Sequence, residues 1–456
     1  MLSFKQSLFI LIVLLLIFFV FLSILHLSPH YAIITGIGTL FLFGLFFKHS
    51  PILMGKEMFF GLKSGIKPII ILLVIGACIG LFISSGFIPY CLYWGLTFFS
   101  PNYFLISSLS LCILISMLTG SSLTTGGTIG VALLGIGNYL GIDPRYTAAS
   151  VICGAFFGDK MSPLSDTTNF APALVGIDIF THIKCMLGTT LPSLIISIIF
   201  FQLLPISLHQ INLEKIQLMQ NFLKDSFNLS HLLLFIPFCL IFLSYFKVKS
   251  SKYFGVIFVL CIGLTLLLQT KINPQKIFSI IFKGFDFSLL EYSKRPVTSD
   301  ILALLNRGGI FSMLDSVELI LLALLLGGLF HYFKIINVLL NKAHQLKMTK
   351  GPLITLSAFF SVLINIITGE QYLSIFIPAM GLKDIFEQLK IPKKYLARAL
   401  EDGGTLINPL VPWSITGVFF SKTLGVSVDE YAPFCIFIYG CFFMTIFLGF
   451  VQKNKT

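Results

Sequence analysis

Eight long apolar runs dominate this chain. They cover residues 9–27, 31–47, 68–88, 186–204, 231–246, 253–269, 311–333 and 431–451. A helix needs about 20 apolar residues to cross the hydrocarbon core. Lipid cannot hydrogen-bond the backbone, so such runs must close their bonds internally, as helices. Charged residues are only 11% of the 456, against about 25% in soluble domains. The run lengths and hairpins predict an all-α polytopic membrane protein with about ten full spans. The first run is too long for a signal-peptide core and is read as a retained span. Forty-nine phenylalanines suit a lipid-facing surface. The net charge of +12 is assigned to basic loops on the cytoplasmic side, not to nucleic-acid binding. Nine cysteines are scattered singly without a C-x-x-C pair. Neither a disulfide framework, a structural metal nor a cofactor is expected.

One polar string interrupts this pattern. Residues 158–169 read Gly-Asp-Lys-Met-Ser-Pro-Leu-Ser-Asp-Thr-Thr-Asn, with apolar sequence on both sides. A charge at the centre of a spanning helix costs about 2.5–3.5 kcal/mol on insertion scales, so it persists where it lines a polar pathway. Pro163 removes a donor and opens the helix. Carboxylate, hydroxyls and opened backbone together form a candidate cation site.

Two regions contain shorter apolar stretches. Residues 104–118 and 128–140 flank a tip at 119–127, and residues 353–367 and 372–386 flank a tip at 368–371. Such lengths point to re-entrant hairpins, whose polar tips must be buried in protein or face a cavity. With a cytoplasmic N-terminus and non-crossing hairpins, most lysine clusters fall inside, as does the C-terminus. The loop at 271–309, with six basic residues, falls on the opposite side and conflicts with the rule.

The two regions resemble each other. Thr119-Gly120 recurs as Thr368-Gly369, and Tyr146 after Pro144 recurs as Tyr395 after Pro392. Ser162-Pro163-Leu164 is paired with Asn408-Pro409-Leu410 by allowing a three-residue deletion between them. That register sets Pro412-Trp413 against Asp166-Thr167. Opposite hairpin directions make this an inverted repeat, with its substrate site at the repeat interface. The expected units are 1–67 (N-terminal spans and a cytoplasmic loop), 68–204 (hairpin 104–140, broken helix 145–178), 205–310 (connecting spans) and 311–456 (hairpin 353–387, broken helix 395–425).

Four stretches resemble the NhaC family of sodium/proton antiporters, within the ion transporter superfamily. They are TGSSLTTGGTIG (119–130), GAFFGDKMSPLSDTTNFAP (154–172), GEQYLS (369–374) and LEDGGTLINPLVPW (400–413). Leu123, Glu370 and the pair Ile407-Asn408 depart from the family's usual residues. The resemblance implies a fold with hairpins and broken helices. It also implies exchange of sodium for protons, in some members tied to an organic substrate.

The expected mechanism shares one carboxylate between two cations. A desolvated Asp166 would hold a proton until Na+ displaces it. Ser162, Ser165, Thr167, Thr168 and the carbonyls freed by Pro163 would supply further oxygens. Asp159 is expected either to pair with Lys160 or to serve as a secondary proton site. Glu370, Gln371, Glu401, Asp402, Thr405 and Asn408 form the second half's polar site. Ser121, Ser122, Thr124 and Thr125 would contact a substrate at the first tip. His182 is expected at the membrane interface, and Asp178, Asp384 and Glu387 in solvent. The competing reading is a Na+- or H+-coupled carrier of a small organic acid or amino acid, of the malate/lactate type. An intramembrane enzyme is disfavoured: the chain has no G-x-G-D, no H-E-x-x-H and no G-x-S-x-G on a span. The expected partners are thus Na+, H+ and membrane lipid, with a small organic substrate and a homodimer as further candidates, in the cell membrane.

Overall fold

The computed structural model describes residues 3–25, 27–205, 213–246, 250–289, 305–335, 338 and 348–451. Lys247, Lys249, Lys294, Arg295, Lys342, Lys347, Lys453 and Lys455 lie outside them, so part of the lysine pattern lies there too. Among the described residues the chain is helical throughout, apart from one isolated bridge residue and the connecting turns.

Helices α1 (Phe4–Phe19) and α2 (Pro29–Phe46) form an N-terminal pair. A capping box at Ser3 starts α1, and Pro29 starts α2 at a position where a missing N–H costs nothing. Helix α3 (Pro51–Ser84) has 34 residues and runs unbroken through residue 67, where a loop was expected. At 1.5 Å per residue it is about 50 Å long, more than the bilayer core requires. Next come α4 (Phe87–Phe98), α5 (Phe104–Thr119), α6 (Ser122–Thr125), α7 (Val131–Tyr139), α8 (Pro144–Met161), α9 (Asp166–Val175) and α10 (Ile179–Leu203). The middle of the chain holds α11 (Leu213–Ser226), α12 (Phe235–Tyr245), α13 (Ser250–Leu268) and α14 (Ile277–Lys283). The last part holds α15 (Leu314–Phe333), α16 (Lys350–Thr368), α17 (Gln371–Gln388), α18 (Lys393–Leu400), α19 (Ile415–Leu424), α20 (Val428–Tyr431) and α21 (Ile436–Val451).

Among the described residues, six helices are long and apolar enough to cross a membrane, or up to nine if each bent pair counts as one span. The first arms of both hairpins are among the six, each 19 residues long. Leu191, Ile195, Ile199 and Leu203 of α10 and Phe443, Phe447 and Phe450 of α21 are exposed. Apolar patches of this kind mark contact with lipid or protein.

The internal repeat is visible as geometry. Helix α5 packs along α8, and α16 along α18. A Cβ added at Gly154 would sit 2.4 Å from the Leu109 carbonyl oxygen, and one at Gly403 would sit 2.4 Å from that of Ala358. Only glycine permits backbones to approach so closely. Each hairpin turns at a left-handed glycine, Gly120 (φ 66°) and Gly369 (φ 64°). Gly120 abuts Leu164 and Ser165, and Gly369 abuts Trp413 and Ser414. Ser165 caps α9, and Ser414 caps α19. Both helices end on left-handed glycines, Gly176 and Gly425.

All these pairs are separated by one constant interval. The three-residue deletion expected from sequence is therefore absent. Pro163 matches Pro412, Thr167 matches Thr416, and Asp166 matches Ile415. Asp159 matches Asn408. The backbone of the two halves stays in step because glycines, prolines and caps fix it, while the polar side chains are free to differ.

Candidate functional site

The break between α8 and α9 spans Ser162 to Ser165. Its loose backbone is largely sealed by local side chains. The Thr168 hydroxyl donates to the carbonyls of Asp159 and Lys160, both at 3.2 Å. Asn169 Nδ2 donates to the Pro163 carbonyl at 2.8 Å. Ser162 Oγ donates across to Met117 O at 2.7 Å, tying the break to the first hairpin. Ser165 caps α9 through the Thr168 N–H and lies 3.2 Å from the Thr167 hydroxyl. Thr168 thus uses the carbonyls that sequence had assigned to a cation.

Asp166 is not buried: it occupies the first turn of α9 and is exposed. A carboxylate there also complements the helix dipole. The buried acid of this segment is Asp159. Its Oδ2 accepts from the Ser122 backbone N–H at 3.1 Å and from Ser122 Oγ at 2.7 Å. The Ser165 hydroxyl also lies beside it, and Asp166 is close enough to repel it.

Asp159 does not pair with Lys160. One residue along a helix turns the side chain by about 100°, so neighbours in sequence face different ways. Lys160 reaches into the second repeat and pairs with Asp402, and both side chains are 0% exposed. The Thr445 hydroxyl of α21 donates to the other Asp402 oxygen.

Glu401, next to Asp402, faces the first repeat. It is wholly buried, and neither carboxylate oxygen has a hydrogen-bond partner. Asp159 and Lys160 are its charged neighbours, and the Thr167 and Thr405 hydroxyls stand near it. Glu401 and Thr405 lie in a π-helical turn, Glu401–Thr405, that continues α18. Such turns recur at functional sites. Two buried carboxylates from opposite repeats thus lie within electrostatic range of each other, with the Ser165 hydroxyl beside the first and those of Thr167 and Thr405 near the second. Carboxylate and hydroxyl oxygens of this kind suit hard cations.

Asn408 and Glu370 are hydrogen-bonded within the second half. Asn408 Oδ1 accepts from the Thr416 N–H at 3.1 Å, and its Nδ2 donates to Asn365 Oδ1 at 2.5 Å and Gly369 O at 3.2 Å. Glu370 caps α17 through the Leu373 N–H at 2.7 Å. Gln371, half-buried, follows it. At the first tip, Thr124 N–H and Oγ1 donate to Ser121 Oγ at 3.2 and 3.0 Å, and Thr125 Oγ1 donates to Ser121 O at 3.0 Å. Of that tip's hydroxyls, Ser122 is the one that reaches the buried acids.

Two buried bases complete the region. Arg398 is 0% exposed; its guanidinium sits 5.4 Å from the Tyr395 ring, and Nε and both terminal nitrogens lack a hydrogen-bond partner. His182, in the first turn of α10, is also 0% exposed, and α18 packs against that helix. Asp178, Asp384 and Glu387 are exposed. No cluster of three or more histidine, cysteine or acidic side chains with metal-site geometry occurs among the described residues.

Residues 154–453 match the model of the Na+/H+ antiporter family. The chain is 40% identical to the Na+/H+ antiporter NhaC of Alkalihalophilus pseudofirmus, covering 94% of this chain and 91% of that protein. It is 38% identical to the NhaC of Bacillus subtilis, covering 95% and 94%. The malate-2H+/Na+-lactate antiporter of Bacillus subtilis is 32% identical, covering 86% and 83%. Identity at this level over nearly the whole length, together with the broken-helix repeats, places the chain in the NhaC-type Na+/H+ antiporter family.

Proposed function

We propose that the chain exchanges Na+ for H+ across the cell membrane by alternating access, with both termini in the cytoplasm. The observation that carries the site assignment is that Asp159 and Glu401, buried acids of opposite repeats, lie within electrostatic range of each other. Lys160, the basic neighbour of Glu401, is paired with Asp402, and a buried carboxylate without a partner of its own is costly, so it binds a proton or a metal cation. Two such acids close together cannot both stay ionised without a cation between them. Na+ entering near Asp159 and Glu401 therefore displaces the proton that the pair shares, and the net charge of the pair is unchanged. The two cations are mutually exclusive, and their movements become opposed. Thr167, Thr405 and Ser165 supply neutral oxygens. Asp166, exposed at the start of α9, attracts cations toward the site without holding them.

The antiporters at 38–40% identity over at least 91% of their own length support plain cation exchange over organic-acid transport. The test is Na+-driven proton movement in proteoliposomes, followed with a pH-sensitive dye. The unmodified chain should alkalinise or acidify the lumen according to the Na+ gradient. Asp159→Asn and Glu401→Gln should each abolish the response. Undiminished exchange in Asp159→Asn would remove that residue from the site.

A further inference from the structure

The two hairpin tips are tied to the two broken helices by different chemistry. In the second repeat, the Gly369 carbonyl accepts from the Ile415 backbone N–H at 3.0 Å and from Asn408 Nδ2 at 3.2 Å. Neither donor carries a charge. In the first repeat the matching backbone bond, from Asp166 N–H to Gly120 O, is absent among the described residues. That tip is instead held through Ser122, which places two donors on one oxygen of Asp159. Asp159 stands where the second repeat has Asn408.

The arms differ as well. The second hairpin's returning arm is one helix, α17, which contains Pro378 but no π-helical turn. The first hairpin's returning arm is interrupted by a π-helical turn, Gly126–Gly130, carrying three glycines. Glycine-containing π-turns bend more readily than regular helix. The tip before it is internally braced by Ser121 and can move as a unit.

We propose that Ser122 makes the first hairpin a sodium-responsive gate, while the second hairpin stays fixed to its broken helix. The inference rests on Asp159 being part of the cation site. Hydrogen bonds to an ionised acceptor are roughly twice as strong as neutral ones. The charged groups facing Asp159 are acidic, Glu401 from the second repeat and Asp166 from α9, and the adjacent Lys160 is turned to Asp402. Before Na+ binds, the shared proton rests on Glu401, the Ser122 donors hold the ionised Asp159 and the tip is latched. Bound Na+ draws on the same oxygen and weakens both bonds. The tip then swings about the π-turn and opens the site.

The experiment uses two matched reporter cysteines, Leu123→Cys in the first tip and Tyr372→Cys in the second. A membrane-impermeant thiol reagent is applied to each side of vesicles at fixed pH, in sodium or potassium chloride, and labelling of the parent chain's nine cysteines is subtracted. Labelling of Leu123→Cys should rise several-fold in sodium, and that of Tyr372→Cys should not change. Adding Ser122→Ala should make Leu123→Cys labelling equal in the two salts, and Ser122→Thr, which keeps the hydroxyl, should restore the difference. A sodium response at Tyr372→Cys as large as at Leu123→Cys would overturn the assignment of one moving hairpin. So would a response that survives Ser122→Ala. Sodium-insensitive labelling in vesicles that still exchange Na+ for H+ would overturn the gate alone. Loss of exchange in the unmodified chain would overturn the cation reading beneath it.

Discussion

Lys160 of the first repeat and Asp402 of the second form a fully buried ion pair that bridges the two broken helices. Removing one partner of such a pair strands the other and costs about 3–5 kcal/mol. Lys160→Met and Asp402→Asn should therefore each lower the thermal unfolding midpoint in detergent. The double variant should be more stable than either single one, since no charge is stranded. Additive losses in that cycle would show that the pair does not couple the repeats.

Asp166→Asn should keep Na+-driven proton movement, with a weaker apparent affinity for Na+ and a smaller dependence on ionic strength. The exposed side chain contributes through its field and not through direct ligation. Initial rates across a sodium titration measure this. Complete loss of exchange would return Asp166 to the centre of the mechanism.

Exchanging acid and amide between the repeats should have unequal effects on folding. Asp159→Asn leaves an acceptor oxygen for the Ser122 donors and should be mild in unfolding assays. Asn408→Asp removes the donor to Asn365 Oδ1 and Gly369 O. Each buried group left unsatisfied costs about 1–3 kcal/mol. The Asn408→Asp protein should show a clearly lower midpoint than Asp159→Asn.

Gly403→Ala should be more harmful than an ordinary helix substitution, although alanine favours helix. The added Cβ would meet the Ala358 carbonyl at 2.4 Å. Overpacking of this kind costs about 1–3 kcal/mol and shifts backbone. Gly154→Ala should behave alike against Leu109. Folded yield from membranes, read by size-exclusion chromatography, reports both.

Outside the spans, Arg145 hydrogen-bonds Asp143 and holds its carboxyl below the usual carboxylate range. Asp143 also caps α8 through the Arg145 N–H at 2.9 Å. A depressed folded value means the stabilisation is complete above the unfolded value. It is lost as pH falls through the folded one. The gap in unfolding midpoint between the unmodified chain and Asp143→Asn should thus be widest near neutral pH. It should close below the ordinary carboxylate range. The pair is solvent-exposed, so the gap is small and shrinks with salt.

The amino-acid sequence by itself determined the helical membrane class, the hairpin tips and the polar break. Those features rest on local causes. Apolar run length dictates spanning helices, Gly120 and Gly369 permit the left-handed turns, and Pro163 and Ser165 stop one helix and start the next. Even the repeat was legible at Thr119, Tyr146 and their counterparts. Its register was not, because a three-residue slip matched Ser162-Pro163 to Asn408-Pro409 by letter. Only packing against the hairpins fixed the constant spacing. Tertiary structure alone decided which acids are buried. Asp159, Lys160 and Asp166 lie within eight residues of one another. Yet one bonds the hairpin, one pairs with the opposite repeat and one is exposed. Helix rotation and a partner far away in the chain set those fates, and neither is written in the local string.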